Sequence, residues 1–316
     1  MNGNFIISLD FELHWGGAEV WDLELYKEYF LKTRESIPSV LQLFEDNSIR
    51  ATWATVGFLF AKSKRQLLKF SPSKKPIYFN ENLSSYNYFD IVGENEALDP
   101  FHFAPSLIEQ IIKTKGQELG THTFSHFYCN EKGQTVEDFD NDLKAVQEIA
   151  KENFDLTLVS LVFPRNQYNA EYLSIAKKNG IKVIRSNPDI WFWRKSHRFL
   201  SPLFRAIDTL FPISNAFVFD STFLAKETVL ELPASRFFRP FKKNEKGIQS
   251  LKMRRILQEM TYAAKHGLNY HLWWHPHNFA NDIDENLKQL QAIISHYNSL
   301  NRQYNFQSKT MGDFDN

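Results

Sequence analysis

The sequence predicts an α/β fold: a parallel sheet curled into a barrel, with helices outside. Three observations point there. Seven short apolar segments alternate with helical patterns along 316 residues, without internal repeat. At this length the alternation suits one barrel better than two open sheets. Glycines stand at three helix-to-strand joints (Gly116, Gly180 and Gly267), where left-handed C-caps belong. Finally, Asp10, His122, Arg165 and His275 all fall at the C-terminal ends of predicted strands. That rim is where α/β barrels build their sites.

Phe5 to Asp10 is an apolar strand ending in a carboxylate. Leu25 to Asp46 carries Tyr29, Phe30, Ile37, Val40, Leu41 and Phe44 at helical spacing, with Asn47 as a stop. Pro38 inside that run predicts a kink or break. Ile49 to Val56 is the second strand. Residues 62–104, with Lys-rich turns and scattered aromatics, read as an ordered insertion in a single domain spanning 1–316. Pro105 to Lys115 is a helix with Pro in its first turn, and Glu118 to His122 the third strand. Helix Val136–Lys151 precedes strand Thr157–Phe163, and helix Ala170–Lys178 precedes strand Ile181–Arg185. Thr228–Leu232 is a strand, Ile248–His266 a long helix, Asn269–Trp274 the seventh strand and Asp282–Leu300 a closing helix.

Composition removes several classes. Lys+Arg and Asp+Glu are both 37, so no global charge draws the chain to nucleic acid. Cys129 is the one cysteine, which excludes an intrachain disulfide and a cysteine-based zinc site. The N-terminus runs straight into an apolar strand without a signal-like region, and no stretch approaches the roughly 18–20 apolar residues of a spanning helix. The expectation is a cytoplasmic protein.

The central motif is His122-Thr123-Phe124-Ser125-His126, preceded by Gly120 and Thr121. Two imidazoles at this spacing, after a strand and among small residues, can converge on a divalent metal. Asp10 and Glu12 flank Phe11, so an extended chain points both carboxylates to one face. Such a pair repels unless a cation lies between them or their roles differ. Glu12, His122 and His126 make a two-histidine, one-carboxylate set with open positions, the shape of a hydrolytic metal site. Arg165, in Phe163-Pro164-Arg165-Asn166-Gln167, either pairs with Asp10 or is a surface arginine at a strand end. His271, His275 and His277 lie among Leu272, Trp273 and Trp274. His271 reads as packed in the core. Partial desolvation of His275 and His277 favours their neutral forms.

Together these motifs resemble the polysaccharide deacetylase (NodB-homology) superfamily, the fourth carbohydrate esterase family. The resemblance rests on Ser8-Leu9-Asp10-Phe11-Glu12, His122 to His126, Phe163-Pro164-Arg165-Asn166-Gln167 and Leu272-Trp273-Trp274-His275-Pro276, in the family's order over residues 8–277. It implies a distorted seven-stranded (β/α) barrel. It also implies Asp10 as catalytic base, Arg165 as its tether, His275 as catalytic acid and His122 with His126 as metal ligands. Phe11 replaces the second Asp of the family's usual pair, so the carboxylate ligand falls to Glu12, as in a divergent Asp-x-Glu branch.

The activity implied is hydrolytic removal of an N-acetyl group from an amino sugar or surface-polysaccharide precursor, with Zn²⁺ as the expected metal. A backbone N–H at Asn166 would help hold the oxyanion, and His277 and Trp274 would contact the substrate. Arg194, Lys195, Arg198 and Arg205 border an apolar stripe within residues 194–212. This basic amphipathic segment either packs on the barrel, the favoured reading, or rests on the inner membrane face and meets a lipid-linked glycan. The rival readings are an allantoinase-like amide hydrolase on the same fold and an inactive carbohydrate-binding barrel. Retention of Asp10 and His275 weighs against the second.

Overall fold

The computed structural model describes residues 2–188, 217–220 and 229–315. The segment 194–212 therefore lies outside the described residues. Each predicted strand is present: β1 Asn4–Phe11, β2 Ala51–Thr55, β3 Gln117–Thr121, β4 Ser160–Leu161, β5 Val183–Ser186, β6 Leu230–Pro233 and β8 Tyr270–Trp274. Two more join them, β7 Arg236–Phe237 and β9 Gln307–Lys309. The sheet runs in the order β6-β5-β4-β3-β2-β1-β8-β7, and every pairing is parallel. Its two edge strands are neighbours in sequence. Between them, Ala234 N–H donates to Ser186 O on the β5 side and Ser235 N–H to His271 O on the β8 side. The chain thus brings the edges of the curled sheet towards each other. Below β2, β9 pairs with the first half of β1.

The helices are α1 Leu23–Asp46, α2 Lys64–Phe70, α3 Pro105–Lys113, α4 Val136–Phe154, α5 Ala170–Lys178, α6 Lys246–His266 and α7 Ile283–Tyr304. Helix α1 starts at Asp22, whose carboxylate accepts from Glu24 N–H, and runs through Pro38 without the predicted break. It buries Phe30, Ile37, Val40, Leu41 and Phe44, one face at helical spacing. Gly116, Gly180 and Gly267 all take positive φ, as their places at helix ends require.

Strand periodicity divides the sheet into two faces. Phe5, Ile7, Leu9 and Phe11 of β1 join the large core beneath the helices. Ile6 joins Ala54, Val162, Val183, Leu232 and Met311 in a separate cluster inside the sheet. On the same inner parity, Ser8 and Asp10 continue β1 upward, while Arg185 continues β5 and His271 and Trp273 lie on β8. The interior therefore holds an apolar cluster towards the N-terminal ends of the strands, with Thr52 and Ser160 bonded to Glu118 beside it, and a charged set at the C-terminal rim.

Candidate active site

Asp10, the last inward residue of β1, is buried. Beyond Phe11 the chain leaves the strand at Glu12, also buried, and Leu13 turns it with φ 48°. The Glu12 carboxylate lies on the bare face of Gly16: a Cβ there would stand 1.9 Å from Glu12 Oε2. Any side chain at Gly16 would expel the carboxylate. The acid's position therefore depends on a glycine four residues away.

The histidine loop is fastened from three sides. His122 N–H donates to Thr55 O on β2, and Gly57 and Phe58 N–H donate to Thr123 O and Phe124 O. From α4, buried Asp142 accepts from Phe124 N–H at 2.6 Å and from Ser125 N–H at 3.0 Å. Within the loop, Thr123 Oγ1 accepts from Phe127 N–H at 2.7 Å. Thr123 and His126 take left-handed φ of 65° and 57°, costly values for non-glycine residues that these bonds sustain. The turn brings His122 Nε2 to 3.0 Å and His126 Nε2 to 3.4 Å from the same oxygen, Glu12 Oε1.

The outer nitrogens determine what faces Glu12. His122 Nδ1 is 2.8 Å from Val162 O, an acceptor, and so carries hydrogen. His126 Nδ1 is 3.1 Å from Tyr128 Oη, whose hydroxyl donates to Glu19 Oε1 at 3.0 Å. Burial pushes the His126 pKa down, favouring the neutral ring. In their neutral forms, rings held in these tautomers would turn two nitrogen lone pairs towards a carboxylate oxygen. That arrangement repels itself unless a cation sits among the three groups, and second bonds of this kind are how ligating histidines are usually oriented. Glu12, His122 and His126 therefore fit a divalent metal, with ligand atoms within 4.8 Å of one another. Burial alone would raise the Glu12 pKa, but His275, His122 and His126 around it hold it well below the usual range.

Asp10 has a different partner from the one expected. Arg185, on the inner face of β5, grips it with two bonds of 2.7 Å. Arg185 also donates to Ser8 Oγ at 3.1 Å and to Asn166 Oδ1, and its guanidinium lies 4.1 Å from the centre of the Trp273 ring. Although burial works to raise the pKa of Asp10, Arg185, His122 and His275 outweigh it and bring it below the usual value. Arg165 does not reach Asp10. It follows Pro164 in a tight turn with φ 55°, and binds Glu19 at 2.7 Å and Glu131 at 3.3 Å over the Tyr128 ring. A strand interior can aim a long side chain into the barrel; the turn after Pro164 sends this one to the rim.

Four further expectations are revised or placed. The Asn166 backbone N–H is committed to Phe163 O at 2.8 Å, so it is not a free oxyanion donor; its side chain supports Arg185 instead. Trp274 points outward into the core, stacked on Phe279 and edge-on to Phe238 and Phe44, away from the rim. Its neighbour Trp273, with the opposite strand parity, faces the site. His277 is buried between the Trp21 and Tyr29 rings and stacks on His275 at 4.8 Å; burial and the adjacent His275 lower its pKa to about 3. His271 is buried as expected, its Nε2 2.9 Å from Ser8 Oγ, with a pKa pushed by burial and by Arg185 down to about 3.

His275 completes the rim. Partly open to solvent, it places Nε2 3.7 Å from both Asp10 Oδ2 and Glu12 Oε1. The site thus has a candidate metal triad on one side, an arginine-held carboxylate beneath it and an accessible imidazole opposite. Such a set can move protons to and from a bound carbonyl compound. The sequence motifs assign no role to Arg185, Ser8, Asp142, Tyr128 or Glu19. Arg185 and Ser8 leave a sequence signal, their alternation with Val183 and Asp10 along predicted strands.

The polysaccharide deacetylase family model matches residues 28–184, about half the chain. That stretch includes His122 and His126; Asp10, Glu12 and His275 lie outside it. No curated protein sequence matches. Among solved structures, a protein assigned as a polysaccharide deacetylase from Mycobacterium smegmatis superposes with a TM-score of 0.62 at 11% identity, over 99% of this chain and 89% of that one. One so assigned from Pseudomonas aeruginosa gives 0.56 at 9% identity, over 99% and 88%. The chitin deacetylase of Colletotrichum lindemuthianum gives 0.51 at 12%, again over 99% and 88%. At these identities the likeness is one of fold. The family match places the chain in the polysaccharide deacetylase (NodB-homology) superfamily, and the curled parallel barrel agrees with it.

Proposed function

We propose that the chain is a divalent-metal-dependent hydrolase that removes the acetyl group from an N-acetylated sugar of a glycan or glycan precursor. One observation carries the reading. Glu12, His122 and His126 offer three ligand atoms within 4.8 Å, and the second nitrogen of each imidazole is held by an acceptor that leaves its lone pair facing inward. Harder oxygen and borderline nitrogen donors in this number suit Zn²⁺ with open positions. A divalent ion there would supply Lewis acidity, polarising the acetyl carbonyl and lowering the pKa of a water. Asp10, kept ionised and aimed by Arg185, would accept the proton of the attacking water. Nearby His275 would deliver a proton to the nitrogen as the C–N bond breaks, giving acetate and the free amine. Trp273 and Asn166 hold Arg185, and through it the direction of the Asp10 carboxylate.

The decisive test compares metal content and acetate release in the purified chain and in a His122→Ala/His126→Ala variant, using N-acetylated oligosaccharides. The expected result is about one metal per chain, lost together with acetate release in the variant. A wild-type protein that releases acetate with no metal bound would remove the metal triad from the reaction. One that binds metal but releases no acetate would overturn the deacetylase reading.

A further inference from the structure

Beside His275 a cleft of about 600 Å³ opens between the segment after β7 and the start of α7, away from the metal-ligand triad. Its near wall is aromatic. Phe237 faces the His275 ring at 5.9 Å, and Tyr29 faces His277 at 6.0 Å. Its far wall is cationic: Arg239, Lys242, Lys243 and Lys252, against the acids Glu245 and Asp282. The chain as a whole carries no net charge, so this excess is local. Lys252 pairs with Glu245, and Lys243 lies 3.6 Å from Asp282. Arg239 and Lys242, both exposed, make no salt bridge among the described residues, though both act on Glu245 at longer range.

These two cations stand on a built segment. Phe238 N–H donates to Trp273 O in β8, and Phe241 N–H donates at 2.7 Å to the side chain of buried Asn286. Asn286 is fixed in turn by its bond to Asp282 O. Pro240 between the anchors restricts the backbone further. Arg239 is only two residues, at most about 7 Å of chain, from the aromatic ring that touches His275. A sugar whose leaving nitrogen meets His275 would extend along Phe237 and Tyr29 and carry its next substituent to Arg239 and Lys242. An exposed guanidinium and ammonium in no salt bridge among the described residues suit an anion.

We propose that this cleft recognises an anionic group, a phosphate ester or a uronate carboxylate, attached to the acetylated sugar. The substrate class is then an anionic acetylated glycan. This rests on the deacetylase reading for the placement of the sugar, but not for the anion site itself. The test measures binding of three probes to the full chain by calorimetry: N-acetylglucosamine, N-acetylglucosamine 1-phosphate and an N-acetylated disaccharide bearing a uronate. Acetate release from each is followed in parallel. One anionic probe should bind at least about tenfold more tightly than the neutral sugar, a preference that shrinks with added salt. Which probe shows it identifies the anion. In an Arg239→Gln/Lys242→Gln variant the preference should disappear, with the three probes binding alike. Equal binding of all three to the wild type, or a preference that survives in the variant, would overturn the proposal. Acetate release without anion preference would sink the cleft alone, and anion preference without acetate release would sink the deacetylase reading alone.

Discussion

A carboxylate as buried as Asp10 stays ionised only where contacts replace its lost hydration. Arg185 supplies them with a bidentate grip, and is itself held by Ser8, Asn166 and the face of Trp273. Removing one member of a buried pair leaves the other uncompensated, at a cost of about 3–5 kcal/mol. Arg185→Ala should therefore lower stability by that order, visible in urea unfolding. On the proposed mechanism it should also cut acetate release by about 100-fold, because a protonated or misaimed Asp10 would no longer take up the water's proton. Arg185→Lys keeps the charge but not the fork or the ring contact, and should recover stability better than turnover. Arg165→Gln breaks only rim pairs of a side chain 41% exposed, so its stability cost should stay below about 1 kcal/mol. Turnover falling as far in Arg165→Gln as in Arg185→Ala would refute this division of labour.

At the scale of elements, the histidine loop is a segment clamped to α4 through one residue. Asp142 receives both Phe124 and Ser125 N–H while wholly buried, and burial pushes its pKa up to about 6. A carboxyl with a raised folded pKa takes up its proton more readily folded than unfolded. Its contribution is therefore full below about pH 4 and lost as pH rises through about 6. The gap in unfolding free energy between wild type and Asp142→Asn should narrow across that window, by on the order of 2 kcal/mol. A gap that stays constant from pH 4 to 7 would show that Asp142 remains ionised throughout. Legibility in the sequence follows the same scale. Strands of β-branched and aromatic residues between helical patterns were readable, and so was the His-x3-His turn, because both are local. The two-residue β7 and three-residue β9 are too short to show alternation, and exist through what they pair with. Arg165 and Arg185 were both visible at strand ends. Strand parity carries Arg185 to Asp10, and the turn after Pro164 carries Arg165 to Glu19. Likewise Trp273 and Trp274 differ by one residue, and strand parity sends one to the site and one to the core.

The molecule as a whole separates stability from chemistry along the barrel axis. At the N-terminal ends of the strands, the segment after α7 closes the interior. There β9 pairs with β1, and Met311 enters the inner cluster of Ile6, Ala54, Val162, Val183 and Leu232. Met311 N–H donates to Thr52 Oγ1, Gly312 N–H donates to Glu118 Oε2, and Arg50 grips Asp313 with two bonds of 2.8 Å. Ile6 and Asp10 are four residues apart on one strand face, about 13 Å at strand rise; between plug and rim lie Ala54, opposite Asp10, and Val162, whose carbonyl accepts from His122 Nδ1. Met311→Ala opens a cavity at a site tied on every side by hydrogen bonds, where collapse is hindered, and should cost about 3 kcal/mol. Because the loss falls at the opposite end from Asp10, His122 and His275, kcat/KM for acetate release should stay within about twofold at temperatures where the variant remains folded. Urea unfolding followed beside steady-state kinetics reads both quantities in one preparation. A loss of turnover beyond about tenfold in a fully folded Met311→Ala protein would mean that packing at the bottom of the barrel sets the geometry of the rim, and the two ends would then have to be treated as one mechanical unit.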